Sequence, residues 1–403
     1  MSRPPFEVAD IVRAIGKSFI DRNRDRLSGL HLKVLSAIER CRTAALGGHR
    51  DRCGRCGYKT TSYSFNSCRN RHCGKCMTNA RNQWLAARQA ELLAVPYVHV
   101  VFTLPHQLAR LVFHNQWILY DLLFRASAAT LLEVAANPKH LGAEIGFLSV
   151  LHSWGQTLQF HPHVHCVIPS GGLSADHQRW VRPRYHFFLP VLALGAVFRG
   201  KFVAGLQRAW RTGQLCLPGE LEPLKREKTF RAFVRSLYQE RWVVYSKPPF
   251  GGPEYVLHYL ARYTHRVAIS NHWLVNFAEG KVTFRWKDYA HGNKKRLMTL
   301  AAEEFLRRFL LHALPRGFVR IRSFGFLANR RRGNLLPLCR QLLTAQPPPS
   351  RTVNNPAPVP AAAATPPLWR CPQCGGPMAV VERLSAAQLH RELARLGATT
   401  DTS

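Results

Sequence analysis

Two Cys-x-x-Cys pairs in the N-terminal quarter of the chain constrain its folding more than any other sequence feature. Cys53 and Cys56 form the first pair, and Cys73 and Cys76 form the second, with glycines inside or beside each pair. Each pair places two thiolates on a tight turn, and two such turns can close a tetrahedron around Zn²⁺. These four cysteines therefore predict a structural zinc site, which folds a small module without taking part in chemistry.

Four further residues near these pairs have side chains that could bind a metal ion. Within the same segment they are Cys41, His49, Cys68 and His72. These four could form a second, interleaved zinc site, or the imidazoles could contact phosphate instead. A third Cys-x-x-Cys pair, Cys371 and Cys374, lies near the C-terminus and supplies only half of a tetrahedral site.

Composition and hydrophobic patterns divide the chain into four parts. Residues 1–94 are expected to form a helical, zinc-binding and DNA-binding module, and residues 95–345 a catalytic domain. A Pro- and Ala-rich spacer at 346–367 cannot pack into a core. Residues 368–403 are expected to be a tail with one cysteine knuckle.

The patterns in residues 95–345 predict a mixture of strands and helices. Strands are expected at residues 97–105, 146–159 and 163–169, and helices at 108–136, across much of 198–245, after Pro253, and at 301–313. Residues 281–300 alternate around the sequence HGNKK, which is typical of a β-hairpin.

The sequence His161-Pro-His163-Val-His165 stands at the start of an apolar strand. Residues i and i+2 of a strand share a face, so His163 and His165 can bind one cation while Val164 packs in the core. Packed histidines without a metal are the alternative. A metal held by two imidazoles needs a third ligand, for which His152 is the first candidate and Gln156 the second.

A second chemical motif is the series Tyr255, Tyr259 and Tyr263, whose spacing stacks the three side chains along one helical face. An aromatic core stripe is the ordinary interpretation of such spacing. Arg262 and Arg266 interleave with the tyrosines, however, which favours a position beside phosphate groups.

Together the two motifs suggest phosphoryl transfer. A tyrosine hydroxyl, with a pKa near ~10, is a poor nucleophile unless a divalent cation polarises the scissile phosphate. Attack would give a phosphotyrosyl linkage and a free 3′-OH, and a DNA hydroxyl could later reverse the linkage without ATP.

The charge of the chain indicates a polyanionic partner. The formal net charge is +34, and 57 residues are Lys or Arg. Arginine, which forms bidentate contacts with phosphate, predominates, and Arg69 and Arg71 beside the second cysteine pair are candidate DNA contacts. We find neither a signal peptide nor a segment long enough to span a membrane, so a cytoplasmic location without membrane partners is expected.

Several segments resemble the rolling-circle, two-tyrosine transposases of the HUH endonuclease superfamily, whose type member is insertion sequence ninety-one. The segments are HPHVHCVIPSGG and YLARYTHRVAISNH, together with CRTAALGGH, SCRNRHCGKC, HVVFTLPHQL, RWKDY and SFGFLANRR. They follow one another in order between residues 30 and 376. Gly74 stands where the family commonly has proline.

The resemblance implies an α+β fold, in which helices flank a central antiparallel sheet, with an N-terminal zinc-binding module. It also implies that His163 and His165 are the metal-binding pair and that Tyr259 and Tyr263 are the nucleophiles. Cleavage of single-stranded DNA with Mg²⁺ or Mn²⁺, a 5′-phosphotyrosyl intermediate and rolling-circle transposition would follow. Tyr255 lies outside the family's tyrosine pair and is expected to be structural.

Three other functions fit part of the sequence. A plasmid relaxase or replication initiator would use the same chemistry in another biological context. A histidine-triad nucleotide hydrolase would explain the sequence HPHVHCV but neither the charge nor the cysteines. A non-catalytic, zinc-bearing DNA regulator would explain the charge and the cysteines but leave the histidines and tyrosines without a role.

Overall fold

The computed structural model describes residues 4–59, 63–76, 78–184, 188–247, 268–288, 291–292, 294–345 and 370–396. The chain divides into two units. The central unit contains residues 78–347 together with the first six residues, and the terminal unit contains residues 7–77 and 348–403. The terminal unit is therefore built from both ends of the chain.

The α-helices of the described residues follow one another along the chain as α1 (Val8–Arg22), α2 (Gly29–Glu39), α3 (Thr78–Gln89), α4 (Ala109–His114), α5 (Gln116–Ala136), α6 (Val191–Arg211), α7 (Glu227–Gln239), α8 (Ala302–Leu310), α9 (Asn329–Ala345) and α10 (Ala386–Leu396). Short 3₁₀ turns lie at Arg24–Arg26, Ala44–Leu46, His106–Leu108, Gly219–Lys225 and Asn271–Trp273.

The strands are β1 (Gly48–Cys53), β2 (Ser64–Phe65), β3 (Tyr97–Thr103), β4 (Gly146–Trp154), β5 (Phe160–Pro169), β6 (Gly172–Leu173), β7 (Trp180–Val181), β8 (Val244–Lys247), β9 (Leu274–Ala278), β10 (Lys281–Asp288), β11 (Lys294–Ala301), β12 (Ile321–Gly325) and β13 (Met378–Leu384).

A five-stranded sheet in the order β12-β4-β5-β3-β8 forms the middle of the central unit. All four pairings are antiparallel. The two longest strands, β4 and β5, are paired, and β3 pairs with the other edge of β5. This register places Thr103 and His152 on either side of His163, and Val101 and Val150 on either side of His165.

Both faces of this sheet are covered, so its strands are apolar on both sides. On one face Val100, Phe102 and Val164 pack in a large cluster with residues of α5 and α6. On the other face Val150 and Val167 pack in a smaller cluster with residues of α3 and α9. Because strand side chains alternate between faces, His163 and His165 share the second face with Val167.

A three-stranded antiparallel sheet, β9-β10-β11, carries α8. The ring of Phe284 on β10 meets that of Phe305 on α8 edge-on, with centroids 5.9 Å apart. Phe284, Phe305 and Leu306 are fully buried. The polar face of α8 carries Glu304, which pairs with Arg307 and Arg308.

In the terminal unit, helices α1 and α2 contribute buried apolar faces, and a small sheet has the order β13-β1-β2. Strand β13, from the C-terminal end of the chain, pairs antiparallel with β1 along its whole length, with one irregularity between Arg50 and Asp51. Leu389 and Leu393 of α10 are buried with Ala44, Tyr63 and Phe65, a cluster that again unites the two ends of the sequence.

The structure bears out the predicted mixture of helices and antiparallel strands around a central sheet. The strands expected at 97–105, 146–159 and 163–169 are β3, β4 and β5, and the expected hairpin is β10–β11. The helix expected after Pro253 and the whole of the expected spacer at 346–367 lie outside the described residues. In the part of the chain that is described, no helix combines the length and the apolar character needed to cross a bilayer.

The domain organisation differs from the expected one in two ways. The first boundary lies between residues 77 and 78 rather than at 94, because α3 contributes Trp84 to the core beneath the central sheet. The C-terminal tail is not a separate knuckle, because β13 pairs with β1 and α10 packs on residues of the N-terminal segment.

Candidate functional site

Three histidines from two neighbouring strands form a cluster at one end of the central sheet. His163 and His165 belong to β5, and His152 lies directly opposite His163 on β4. One ring nitrogen from each histidine can be chosen so that all three lie within 4.8 Å of one another. The ring of His152 lies 4.3 Å from that of His165 and 5.4 Å from that of His163, centroid to centroid. The structure thus brings together the predicted pair and the first candidate for a third ligand.

Burial keeps the imidazoles of His163 and His165 uncharged. It lowers the pKa of His163 to about 4 and that of His165 well below its ordinary value of 6.5, and the neighbouring imidazoles add to the effect. An uncharged imidazole offers one nitrogen lone pair, which is the form in which histidine binds a metal. The three converging imidazoles, two of them held neutral by burial, are therefore a suitable donor set for a divalent cation of the first transition row.

The hydrogen bond of His163 indicates which of its nitrogens is available. Its Nδ1 lies 2.6 Å from the carbonyl oxygen of His161. Because a carbonyl only accepts, Nδ1 carries the proton and donates it. The lone pair of His163 is therefore on Nε2, and this contact fixes the orientation of the ring.

A fourth histidine, which the sequence motifs did not single out, adjoins the cluster from β3. The Nε2 of His99 lies 2.8 Å from Nδ1 of His165, and the two rings are stacked with centroids 5.0 Å apart. His99 is buried. The contact of His99 with His165 could be predicted only if the pairing of β3 with β5 were known. In that pairing His99 lies diagonally across from His165.

An open cavity of about 890 Å³ is lined in part by His161, which adjoins the histidine cluster. The ring of His161 lies 5.3 Å from that of His163. Side chains that carry or can carry positive charge contribute much of the lining: His106, Arg110, His114, His161, Arg307 and Arg308. Phe113 and Phe160, which meet edge-on with centroids 5.6 Å apart, add an aromatic surface.

Tyr259, Tyr263, Arg262 and Arg266 lie outside the described residues, as does Tyr255. Gln156, the second candidate for a third metal ligand, is exposed, and its Oε1 accepts a hydrogen bond from the backbone N–H of Lys287 at 3.4 Å.

The cysteines form two four-membered clusters, and their grouping corrects the predicted one. The first cluster contains Cys41, Cys68, Cys73 and Cys76, and the second contains Cys53, Cys56, Cys371 and Cys374. The predicted site of Cys53 and Cys56 with Cys73 and Cys76 is therefore not formed. The physical reason is that strand β13 pairs with β1 and brings the C-terminal cysteines to the end of β1.

The first cluster takes its cysteines from three places in the terminal unit. Cys41 follows α2, Cys68 follows β2, and the pair Cys73 and Cys76 lies on the next turn. The Sγ atoms of Cys68 and Cys76 are 3.6 Å apart, and the backbone N–H of Cys68 donates to Sγ of Cys41 at 3.5 Å. Four cysteine sulfurs that converge in this way have the chemistry of a structural zinc site.

The predicted second zinc site of Cys41, His49, Cys68 and His72 is corrected as well, because neither histidine belongs to a cysteine cluster. The Nδ1 of His49 lies 3.2 Å from Oδ1 of Asn66, and that of His72 lies 2.9 Å from Oδ1 of Asn70. Both imidazoles thus contact the side-chain amide of a nearby asparagine rather than a cysteine cluster. Of the predicted DNA contacts beside this cluster, Arg69 is exposed and Arg71 is half-buried.

Comparisons with known proteins agree with this combination of a zinc module and a histidine-bearing sheet. Residues 146–334 match a family model described as "Putative transposase", and residues 11–104 match the "Transposase zinc-binding domain" of IS91, insertion sequence ninety-one. The first match spans the strands that bear His152, His163 and His165. No solved structure matches the chain.

Two relatives match over most of their length. "Putative transposase y4qJ" of Sinorhizobium fredii is 51% identical over 353 residues, which are 87% of this chain and 88% of the relative. "Transposase for insertion sequence element IS801" of Pseudomonas savastanoi pv. phaseolicola is 28% identical over 89% of this chain and 85% of its own length. The chain thus belongs to the transposases.

More narrowly, the chain belongs to the IS91 family of transposases, which confirms the resemblance of the sequence motifs. Transposases bind DNA, and membership implies cleavage and transfer of DNA strands.

Proposed function

We propose that the protein cleaves single-stranded DNA at the ends of its element by tyrosine attack and transfers strands by an HUH-type, rolling-circle mechanism. The cluster of His152, His163 and His165 on adjacent antiparallel strands is the observation that carries this proposal. Three converging imidazoles at the end of a sheet have no obvious role in a protein that only binds DNA.

The histidine cluster fits a catalytic divalent cation. His163 would bind through Nε2, while His152 and His165 would complete the donor set. Of the two cations expected, Mg²⁺ and Mn²⁺, the transition metal Mn²⁺ suits three imidazoles better, because Mg²⁺ prefers oxygen ligands. When bound, the cation supplies polarisation of the scissile phosphate and stabilisation of developing negative charge. The contact of His163 Nδ1 with the His161 carbonyl holds the first ligand in place.

The nucleophile is proposed to be Tyr259 or Tyr263. The phenolic oxygen, after loss of its proton, forms a bond to phosphorus, and the bond between phosphorus and the 3′ oxygen breaks. The products are a 5′-phosphotyrosyl protein and a DNA strand that ends in a 3′-OH. Two tyrosines four residues apart in the sequence could each hold one strand. This suits an exchange in which the linkage of one strand is reversed by the hydroxyl of another.

The cavity beside His161 is proposed to admit the single strand. Its basic side chains suit phosphates, and the rings of Phe113 and Phe160 suit unpaired bases. Arg307 and Arg308 pair with Glu304, and Arg110 pairs with Glu220, so acidic partners hold the three guanidinium groups in position. A duplex would hide the base faces that such an aromatic surface contacts.

The decisive experiment tests covalent adduct formation with a single-stranded oligonucleotide that covers an element end, in the presence of Mn²⁺. The wild type is expected to form an adduct that denaturing gel electrophoresis detects, and the double variant Tyr259→Phe/Tyr263→Phe is expected to form none. His163→Ala should also abolish the adduct while it leaves DNA affinity within a few-fold, because it removes a metal ligand rather than a phosphate contact. His272→Ala, at an exposed histidine outside the cluster, is the matched control.

The outcomes separate the alternative functions. DNA binding without an adduct in either Mg²⁺ or Mn²⁺ would favour a non-catalytic, zinc-bearing DNA-binding protein. An adduct that survives the double tyrosine substitution would remove both tyrosines as nucleophiles. A relaxase or replication initiator would form the same adduct, and only a transposition assay with the element ends distinguishes it.

A further inference from the structure

The cysteine pair near the C-terminus has no role in the function proposed above. Cys371 and Cys374 lie far outside residues 11–104, which match the family's zinc-binding domain. They nevertheless meet Cys53 and Cys56 of that domain. Across this cluster, Sγ of Cys53 lies 3.5 Å from Sγ of Cys374, and Sγ of Cys56 lies 3.6 Å from Sγ of Cys371.

These separations suit a metal better than disulfide bonds. Zn–S bonds of about 2.3 Å in a tetrahedron place neighbouring sulfurs about 3.8 Å apart, whereas a disulfide bond needs about 2.0 Å. The cross-cluster separations of 3.5 and 3.6 Å are close to the tetrahedral value. All four sulfurs lie within 4.8 Å of one another, as a shared ion requires.

The backbone around the cluster also has the form of two zinc knuckles. The N–H groups of Arg55 and Cys56 both donate to Sγ of Cys53, at 3.3 and 3.5 Å, and such donors stabilise a thiolate. In the second knuckle Gly375 has a φ of +66°, a conformation that favours glycine. A Cβ at Gly376 would lie 3.1 Å from Sγ of Cys53 and 3.2 Å from Sγ of Cys374, so a larger residue would crowd the cluster.

Contacts beyond the cysteines hold the two knuckles together. The N–H of Gly54, within the first knuckle, donates to the carbonyl of Pro377, which follows the second, at 3.0 Å. Strand β13 then continues along β1 as far as the pair Gly48 and Leu384. The cluster therefore lies at the end of a paired strand ladder rather than in a loose contact between loops.

We propose that Cys53, Cys56, Cys371 and Cys374 bind one structural Zn²⁺, so that the zinc-binding domain is discontinuous and needs the C-terminal tail. The protein then carries two zinc ions, the other at Cys41, Cys68, Cys73 and Cys76. The central unit is, in sequence, an insertion between the two halves of a zinc-binding domain. This inference does not depend on the proposed cleavage reaction.

The first test counts metal ions in the intact, full-length protein by native mass spectrometry with elemental analysis. The wild type should hold two zinc ions, and the variant Cys371→Ser/Cys374→Ser should lose at least one. Cys216→Ser, which removes an exposed cysteine outside both clusters, should keep two. A wild type with a single zinc, or a double serine variant that holds as many zinc ions as the wild type, would overturn the proposal.

A second test uses only the wild type, because a variant that lacks one zinc could unfold the whole unit. Cys56 and Cys216 are both exposed, so a thiol-alkylating reagent should reach both in the absence of a metal. In the zinc-loaded protein, mass mapping should find Cys216 alkylated and Cys56 protected, and a chelator should abolish the protection. Prompt alkylation of Cys56 in zinc-loaded protein would refute the site.

Discussion

At the scale of single residues, the histidine cluster shows how burial and hydrogen bonding select one form of an imidazole. Burial lowers the pKa of His163 and of His165, so both are neutral at physiological pH. For His163 the contact of Nδ1 with a backbone carbonyl then decides that Nε2 holds the lone pair. For His165 the partner of Nδ1 is the imidazole of His99, which can either donate or accept.

His99 is predicted to position His165 for metal binding. If His165 binds through Nε2, its Nδ1–H must donate to Nε2 of His99, and such partners of metal ligands typically contribute about 10–100-fold in affinity. His99→Leu should therefore weaken Mn²⁺ binding by about that factor, as titration monitored by electron paramagnetic resonance would show. His99→Gln retains an acceptor oxygen and should recover part of the affinity. Unchanged Mn²⁺ binding in His99→Leu would rule out the positioning role.

His312 is predicted to make stability depend on pH. Its Nε2–H donates to the carbonyl of Leu158 at 3.1 Å, and its Nδ1 lies 3.2 Å from Oγ of Ser153. Burial lowers its pKa from 6.5 to about 4. Above pH 6.5 the ring is neutral in both the folded and the unfolded state. Between pH 6.5 and about pH 4 the unfolded chain binds a proton at this ring and the folded protein does not, so acidification favours unfolding.

The free energy of unfolding should thus fall by about 2 kcal/mol from this group between about pH 7 and pH 5. Urea denaturation at the two pH values measures the change. His312→Gln should be less stable at neutral pH but should lose less stability on acidification than the wild type. Equal losses in the two proteins would show that His312 does not contribute to the pH dependence.

At the scale of elements, the edge strand β12 depends on a close approach of two backbones. Gly325 pairs with Gly146 of β4, and its φ is +62°. A Cβ at Gly325 would lie 1.7 Å from the carbonyl oxygen of Ile145, and a Cβ at Gly146 would collide with the ring of Phe326. Glycine at both positions therefore lets β12 and the following Phe326 close over β4, the strand that carries His152.

Gly325→Ala is accordingly predicted to destabilise the central unit. The left-handed backbone alone costs an alanine about 1–2 kcal/mol, and the steric clash adds to that cost. Gly317→Ala is the matched control, because Gly317 also has a positive φ, +76°, but open space around the position of a Cβ. Differential scanning calorimetry should show a larger decrease in melting temperature for Gly325→Ala than for Gly317→Ala. Similar decreases would mean that backbone conformation accounts for the whole effect.

At the scale of the whole molecule, charge determines how the protein meets DNA. A net charge of +34 is spread over a chain in which Lys and Arg outnumber Asp and Glu by 57 to 23. The ion pairs around the cavity use some of these cations, but the excess remains large. Binding of DNA must therefore release many condensed counterions.

Affinity for single-stranded DNA is predicted to fall steeply with salt. If about six phosphates are neutralised, the dissociation constant should rise on the order of 10²–10³-fold between about 50 and 200 mM salt. Fluorescence anisotropy with a labelled oligonucleotide measures the slope, and a neutral-backbone analogue of the same sequence is the control. A dissociation constant that does not change with salt would contradict a phosphate-dominated interface.

The sequence alone was sufficient for features that depend on local spacing. Apolar segments at residues 97–105, 146–159 and 163–169 predicted three of the five strands of the central sheet, because strands buried on both faces are apolar on both faces. The spacing of His163 and His165 predicted that both lie on one face, because side chains two residues apart in a strand share a face. The family resemblance, which the comparisons confirmed, rested on short motifs in a fixed order.

Only the tertiary structure decided which of these local groups meet. Each Cys-x-x-Cys pair fixes two sulfurs, but its partner pair depends on the pairing of strands β1 and β13. The cysteines that this pairing brings together lie more than 300 residues apart in the sequence. The contact of His99 with His165 likewise required the register of β3 on β5. Local geometry is determined by residues that are neighbours in the sequence. The complete ligand set of a metal site also depends on which distant segments pack together, and the free energy of the whole fold determines that packing.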